Sequence, residues 1–410
     1  MFADFAIVGA GIVGLTIARE IRNRYPDCSI VVFDKEAALA SHGSGRNSGV
    51  LHSGIYYPEG SLKAKVCAEG ARLLRQYCIE RHLPLREVGK IILPVNATDY
   101  SQLDLLLNRA RHNGVEAKRV DADQLRTLEP DAHTLTGSAI FIPNTAVFDP
   151  INILQAIASE LQQQKVDILT RTPVISINPV QKSLQTPLGS YHYGYLINAA
   201  GLHADRLAKP FGVGENYRIL PFKGLYYRLS PNSKCDIRHH VYPVPDLRVP
   251  FLGVHFTLSH SGTVYVGPTA IPAFGREHYQ GLSGLDMVES PSILYRIFQQ
   301  YLNNQQGFRH FTHQEAFRFL KPNFVKAAQA LVPGVTSEDL VASPKVGIRA
   351  QLLDTKTLSL VHDFVLEKGE HSLHVLNAVS PAYTSAMSFA RLVAEHIEAS
   401  TVSSCMQSIG

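Results

Sequence analysis

Phe5-Ala6-Ile7-Val8-Gly9-Ala10-Gly11-Ile12-Val13-Gly14-Leu15-Thr16-Ile17-Ala18-Arg19-Glu20-Ile21 reads as a buried strand, a glycine turn and a helix. A second apolar run, Ile30 to Phe33, ends in Asp34, twenty residues after Gly14. Strand, turn, helix, strand and acid at this spacing make a dinucleotide-binding unit. Gly9 permits the tight turn, and Gly11 lets backbone approach a pyrophosphate. Gly14 allows close packing of helix on strand. The helix start offers free N–H groups and a positive dipole end to phosphates. Asp34 is placed to accept hydrogen bonds from a ribose. NAD and FAD both use such a unit, so the turn does not choose between them.

The chain has 410 residues, too many for one core and suited to two domains. Lys and Arg number 39 against 35 Asp and Glu, a mild excess with no basic run, which argues against nucleic acid. The 18 histidines are scattered and suggest no metal site. Cys28, Cys67, Cys78, Cys235 and Cys405 form no Cys-x-x-Cys pair and are expected to be reduced thiols. The first strand is expected within a few residues of Met1, so no leader is expected, and no apolar stretch is long enough to span a membrane. A cytoplasmic location is expected, with peripheral contact at the inner membrane left open.

Ser41 to Gly49 is a polar, glycine-rich loop beside the turn, suited to lining a nucleotide. Residues 61–82 read as an amphipathic helix interrupted only by Gly70. Asp149 caps a helix opened by Pro150. Tyr195 to Asn198 is a buried strand ending in Ala199-Ala200-Gly201, which brings backbone close to the cofactor, and residues 202–211 look helical. From Pro221 the texture turns to alternating strands joined by Gly, Pro and Ser turns. The C-terminal stretch returns to the first domain, with a strand at Val346 to Ala350 and a helix at Thr384 to Ile397. The fold class is therefore α/β: a Rossmann-type domain (1–87, 145–215 and 325–410) with an inserted, mostly antiparallel β-sheet substrate domain (88–144 and 216–324).

Several further motifs point one way. His42-Gly43-Ser44-Gly45-Arg46-Asn47-Ser48-Gly49-Val50-Leu51-His52-Ser53-Gly54-Ile55-Tyr56-Tyr57 resembles the flavin-proximal loop of the L-2-hydroxyglutarate dehydrogenase/oxidase family. Pro221 to Gly224, Gly253 to Thr257, Gly262 to Pro268, Gly347 to Gln351 and Leu376 to Ser385 continue that resemblance in the family's order. The resemblance covers nearly the whole chain and places it in the D-amino-acid-oxidase-like flavoproteins. It implies FAD, and oxidation of L-2-hydroxyglutarate to 2-oxoglutarate by hydride transfer from C2 to flavin N5. The implied electron acceptor is oxygen or a quinone. Arg46, Lys223 and Tyr383 depart from the family's usual His, Arg and small residue.

The cofactor contacts so implied are Gly9, Gly11, Ile12, Val13 and Gly14, then Asp34 and Lys35. Ser44, Gly45, Arg46, Asn47, Ser48 and Val174 follow. Ala199, Ala200, Gly201, Gly347, Arg349, Pro381, Ala382, Tyr383 and Thr384 complete the set, the last four setting a helix start against the flavin. Oxidising a 2-hydroxy acid needs a base for the hydroxyl proton and cations for the carboxylates. His255 and His52 are the base candidates, and Arg349 is the first choice for a carboxylate. Lys223, Arg276 and Lys345 are alternatives for the second carboxylate, and Tyr265 and Tyr57 are hydrogen-bond donors. Competing readings are a flavin enzyme for an amino acid, another hydroxy acid or glycerol 3-phosphate, and a flavin-bound electron-transfer or scaffold protein. A substrate panel separates them.

Overall fold

The strand before the glycine turn is β1, Phe2–Val8, in the computed structural model, which describes residues 1–397. The turn feeds α1, Ile12–Arg24, and the chain returns as β2, Ile30–Phe33. β2 and the Gly189–Asn198 strand flank β1 in parallel, with Phe5 opposite both Ile30 and Tyr195. Asp167–Leu169 and Ser372–Asn377 extend the parallel array on either side. Parallel strands are buried on both faces, so they read as continuous apolar runs. Here Ile7, Val32 and Ile197 are inaccessible to solvent and share one core with Leu15 and Ile17 of α1.

A ten-stranded, mostly antiparallel second sheet is built around the long pair Tyr217–Leu229 and Leu340–Asp354. The Leu340–Asp354 strand was expected with the first domain, on the C-terminal side of the boundary at 325. It belongs instead to the second sheet, because nearly its whole length pairs with Tyr217–Leu229. The only parallel pair in this sheet, among the described residues, joins Lys90–Leu93 to His240–Pro243. Side chains alternate across a strand. Ile91, Val241, Phe256 and Val266 therefore fill a core beneath one face, under the Lys321–Gln329 helix. Lys90, His240, Tyr242, His255 and Thr257 occupy the alternate positions, on the other face.

Two further details differ from what the sequence predicts. Residues 201–211 form a short helix, Ala204–Ala208, between two 3-10 turns, Gly201–His203 and Lys209–Phe211, rather than one continuous helix. Helices Phe308–Arg318 and Lys321–Gln329 carry no sequence reading made above. Cys67, Cys78 and Cys235 are free thiols, and Cys28 is buried. Cys405 lies outside the described residues.

Candidate active site

A cavity of about 740 Å³ runs between the two sheets, from the glycine turn at one end to His52, His255 and Arg349 at the other. Gly9 sits at φ +110°, where side chains are disfavoured, and a Cβ there would lie 2.4 Å from the Ala199 carbonyl oxygen. Asp34 accepts the Ala10 N–H at 2.8 Å and the Glu36 N–H at 2.9 Å, so it braces the turn while facing the cavity. The Ser44 hydroxyl accepts the Ile12 N–H at 2.9 Å and ties the 41–49 loop to the start of α1. At the far side, the Thr384 hydroxyl accepts the His52 N–H at 3.1 Å and fixes the last helix, Ala382–Glu395, against the same loop.

Most residues expected at the cofactor do line this cavity: Gly9, Gly11, Ile12, Val13, Asp34, Lys35, Ser44, Arg46, Asn47, Ser48 and Val174. So do Ala199, Ala200, Gly201, Gly347, Arg349, Pro381, Ala382, Tyr383 and Thr384. Gly14 and Gly45 do not, and their reason for being glycine is packing. A Cβ on Gly14 would stand 1.9 Å from the Gly9 carbonyl oxygen, and one on Gly45 2.0 Å from that of Ala40.

The catalytic candidates divide. His52, His255 and Arg349 line the cavity together. Lys223 and Tyr265 do not: Lys223 pairs with Ile271 and Ile348 within the second sheet, and Tyr265 packs edge-on to Tyr226 under the Lys345 ammonium. Lys345 is likewise outside the lining, as is Tyr57. Arg276 is held by Asp205 and Glu289 in a buried ion-pair network. Aromatic walls that the sequence did not single out, Phe222, Tyr226, Tyr242 and Phe251, close the chemical end.

The His255 Nδ1 lies 2.7 Å from the Gly253 carbonyl oxygen. A carbonyl only accepts, so Nδ1 carries the proton and Nε2 keeps a basic lone pair. Burial pushes the His255 imidazole down to about 3, with the Gly253 bond opposing and Lys90 and Arg349 adding to it. His52 is also held well below its ordinary value, by burial and then by Lys90, His255 and Arg349. Both rings are thus neutral. The Arg349 guanidinium donates to the Pro250 carbonyl and lies over the Phe251 ring, 5.2 Å from its centroid. No carboxylate pairs with it among the described residues. A half-buried guanidinium at a cavity wall, without a carboxylate of its own, is set to take an anion.

Near the turn, Glu36, His42 and Glu277 offer ligand atoms within 4.8 Å of one another. The Lys35 ammonium contacts both carboxylates, so the cation held there is a side chain.

The parts fit FAD: a glycine cradle that a Cβ would fill, a braced acid, and a second small-residue turn at Ala199 to Gly201 facing the first. The FAD dependent oxidoreductase family matches residues 4–396. An L-2-hydroxyglutarate dehydrogenase of Nematostella vectensis is 38% identical, covering 96% of this chain and 90% of its own. The Escherichia coli K12 L-2-hydroxyglutarate dehydrogenase is 34% identical over 94% of this chain and 90% of its own. Among solved structures, the L-alpha-glycerophosphate oxidase of Mycoplasma pneumoniae, with FAD bound, matches the fold with TM-score 0.74 and 22% identity, covering 96% of this chain and 94% of that one. Glycine oxidase from Geobacillus kaustophilus follows at TM-score 0.72 and 17% identity, covering 96% and 94%. The chain is a member of the FAD-dependent oxidoreductase family and, within it, of the L-2-hydroxyglutarate dehydrogenases.

Proposed function

We propose that this protein oxidises L-2-hydroxyglutarate to 2-oxoglutarate. The observation that carries the reading is the meeting, at one end of the cavity, of a half-buried Arg349 with no carboxylate partner among the described residues and a neutral His255. Arg349 holds a substrate carboxylate in a two-point grip and fixes C2. His255 Nε2 takes the hydroxyl proton. FAD, when bound, accepts the C2 hydrogen with its two electrons. Phe222, Tyr226, Tyr242 and Phe251 exclude water around the reacting carbon. Lys63 and Lys90 are buried nearby and face few acids, which favours a dianion over an amino acid zwitterion.

The test is anaerobic flavin reduction by a substrate panel. The L-isomer of 2-hydroxyglutarate should bleach the flavin rapidly. Equal reduction by the D-isomer, by amino acids or by glycerol 3-phosphate would overturn the reading.

No helix among the described residues is long and apolar enough to cross a membrane. Peripheral contact is nevertheless supported by an exposed apolar surface on the helical excursion 290–320. Leu294, Phe298 and Leu302 line one face of the Ser290–Asn303 helix, with Phe317, Phe319 and Leu320 close by in sequence. A membrane quinone as electron acceptor suits such a surface better than oxygen does.

A further inference from the structure

Lys90 opens a strand whose four residues are all buried, Lys90-Ile91-Ile92-Leu93. Its side chain is fully inaccessible to solvent, and its ammonium has no hydrogen-bond partner among the described residues. Register explains where it points. Lys90 pairs with His240 in the adjacent parallel strand, and Tyr242, two residues on, shares that face. The Lys90 ammonium lies 4.6 Å from the centre of the Tyr242 ring and 5.3 Å from that of Tyr56. His255 also packs on Tyr242, its ring stacked at 3.9 Å with a 23° tilt. A charge buried this way, without a carboxylate, is unfavourable to folding, so something other than stability accounts for it.

We propose that Lys90 is a positioning residue of the reaction, its buried ammonium holding the Tyr242 ring against His255 and keeping positive charge from collecting on the imidazoles beside the substrate. The groups facing the ammonium are Tyr56 from the loop after the 41–49 segment, Tyr242 and His240 from one strand, His255 from the next, His52, and Cys67 from the Leu62–Glu80 helix. None is an anion at neutral pH, since burial pushes the Cys67 thiol up to about 12 and holds the tyrosines protonated. His255 and His52 also face Arg349 from the Leu340–Asp354 strand. A cation near an imidazole disfavours its protonation, so Lys90 adds to the burial that keeps the Nε2 lone pair free for proton abstraction.

The inference rests on the proposed oxidation of L-2-hydroxyglutarate, and the experiment separates the two. The FAD-loaded wild type and Lys90→Met, Lys90→Arg and Lys90→Gln variants are compared by anaerobic flavin reduction across pH, and by Tm across pH. No reduction of the wild type by L-2-hydroxyglutarate rejects the substrate reading. Given reduction, Lys90→Met should raise the acid limb of the profile by about one pH unit. Lys90→Arg should restore the wild-type limb, and the Tm of Lys90→Met should hold or rise at neutral pH. A Lys90→Met enzyme that folds, binds FAD and keeps the wild-type limb overturns the proposal. Should Lys90→Met not fold, Lys90→Gln takes its place. Failure of both to fold, with Lys90→Arg normal, would assign Lys90 a purely structural role and also overturn it.

Discussion

His255 is anchored through Nδ1 to the carbonyl of Gly253, two residues earlier in the same chain segment, at 2.7 Å. The bond turns the ring so that its tautomer is fixed by local backbone rather than by a partner acid. A histidine held this way is a base without a carboxylate behind it. Replacing His255 with Ala should slow flavin reduction by about 10²- to 10⁴-fold, the usual worth of a general base. FAD content should stay unchanged. His52, with no such anchor on its ring among the described residues, should cost less when replaced. Reduction at the wild-type rate in His255→Ala would transfer the role to His52.

Arg349 should govern affinity rather than proton transfer. Hydrogen bonds to a charged group are worth about 1.5–3 kcal/mol, or roughly 10- to 100-fold in binding. Lys cannot reproduce the planar fork. Arg349→Lys should therefore raise the apparent Kd for substrate by that factor while leaving the limiting reduction rate within a few-fold. A limiting rate that collapses while Kd holds would place Arg349 on the reacting atoms instead.

Tyr383 shows how a position can be legible in sequence and its side chain not. The residue lies where a small one is usual, and the sequence suggests bulk against the flavin. The residue does line the cavity, but its hydroxyl donates to the Pro150 carbonyl and its ring packs on Phe148, 4.9 Å between centroids. The bulk is stored in the core. Tyr383→Phe should lower stability by about 1 kcal/mol and leave reduction kinetics alone. Tyr383→Ala should cost about 3–5 kcal/mol in a denaturant titration. Faster substrate turnover in Tyr383→Phe would contradict this placement.

The same division runs through the molecule. The glycine turn and its acid were readable because φ and close approach act locally: Gly9 could be nothing else where it sits. Gly70 was read as a weak point in a helix. It is a contact point, since a Cβ there would lie 2.6 Å from both the Ser385 Cα and the Thr384 carbonyl oxygen of the last helix. Long-range packing of that kind leaves no period in one sequence. Lys223 and Tyr265 were chosen for their chemistry and proximity to motifs. Sheet register, set for Lys223 by Ile348 over a hundred residues away and for Tyr265 by Arg228 and Thr257, turned them elsewhere. Lys90 had a signal that the sequence reading passed over: a lysine opening an otherwise apolar strand.

The buried bases set a pH profile for stability. The His255 and His374 rings are pushed down to about 3 and about 4, chiefly by burial. A depressed folded value means stability is complete above the ordinary histidine range, near pH 6.5, and is lost as pH falls below it. Lys63 and Lys90 are pushed down to about 8, again by burial. Between pH 8 and their ordinary value the unfolded chain binds more protons, so stability rises with pH there. The slope is at most about 1.4 kcal/mol per pH unit for each. The buried Cys67 and Cys78 thiols, raised to about 12 and about 11, oppose this above pH 9. Denaturant midpoints should therefore drop below pH 6.5, climb between pH 8 and 9, and flatten beyond. A steady fall from pH 7 to 9 would exclude charged, buried Lys63 and Lys90.

The apolar excursion gives the proposed peripheral membrane contact a direct test. Phe298 is 57% exposed and Phe319 62% exposed, on a segment that also carries Arg296, Arg309 and Lys321. Burying one such ring is worth about 1.5–3 kcal/mol, so each contributes roughly 10- to 100-fold to partitioning. Arg and Lys beside the rings should favour an anionic surface. The protein should co-sediment with vesicles of mixed phosphatidylglycerol and phosphatidylcholine, and less with phosphatidylcholine alone. Phe298→Glu and Phe319→Glu should each release it without altering flavin reduction by soluble substrate, because neither ring lines the cavity. Co-sedimentation that survives both substitutions together would place the contact elsewhere on the molecule.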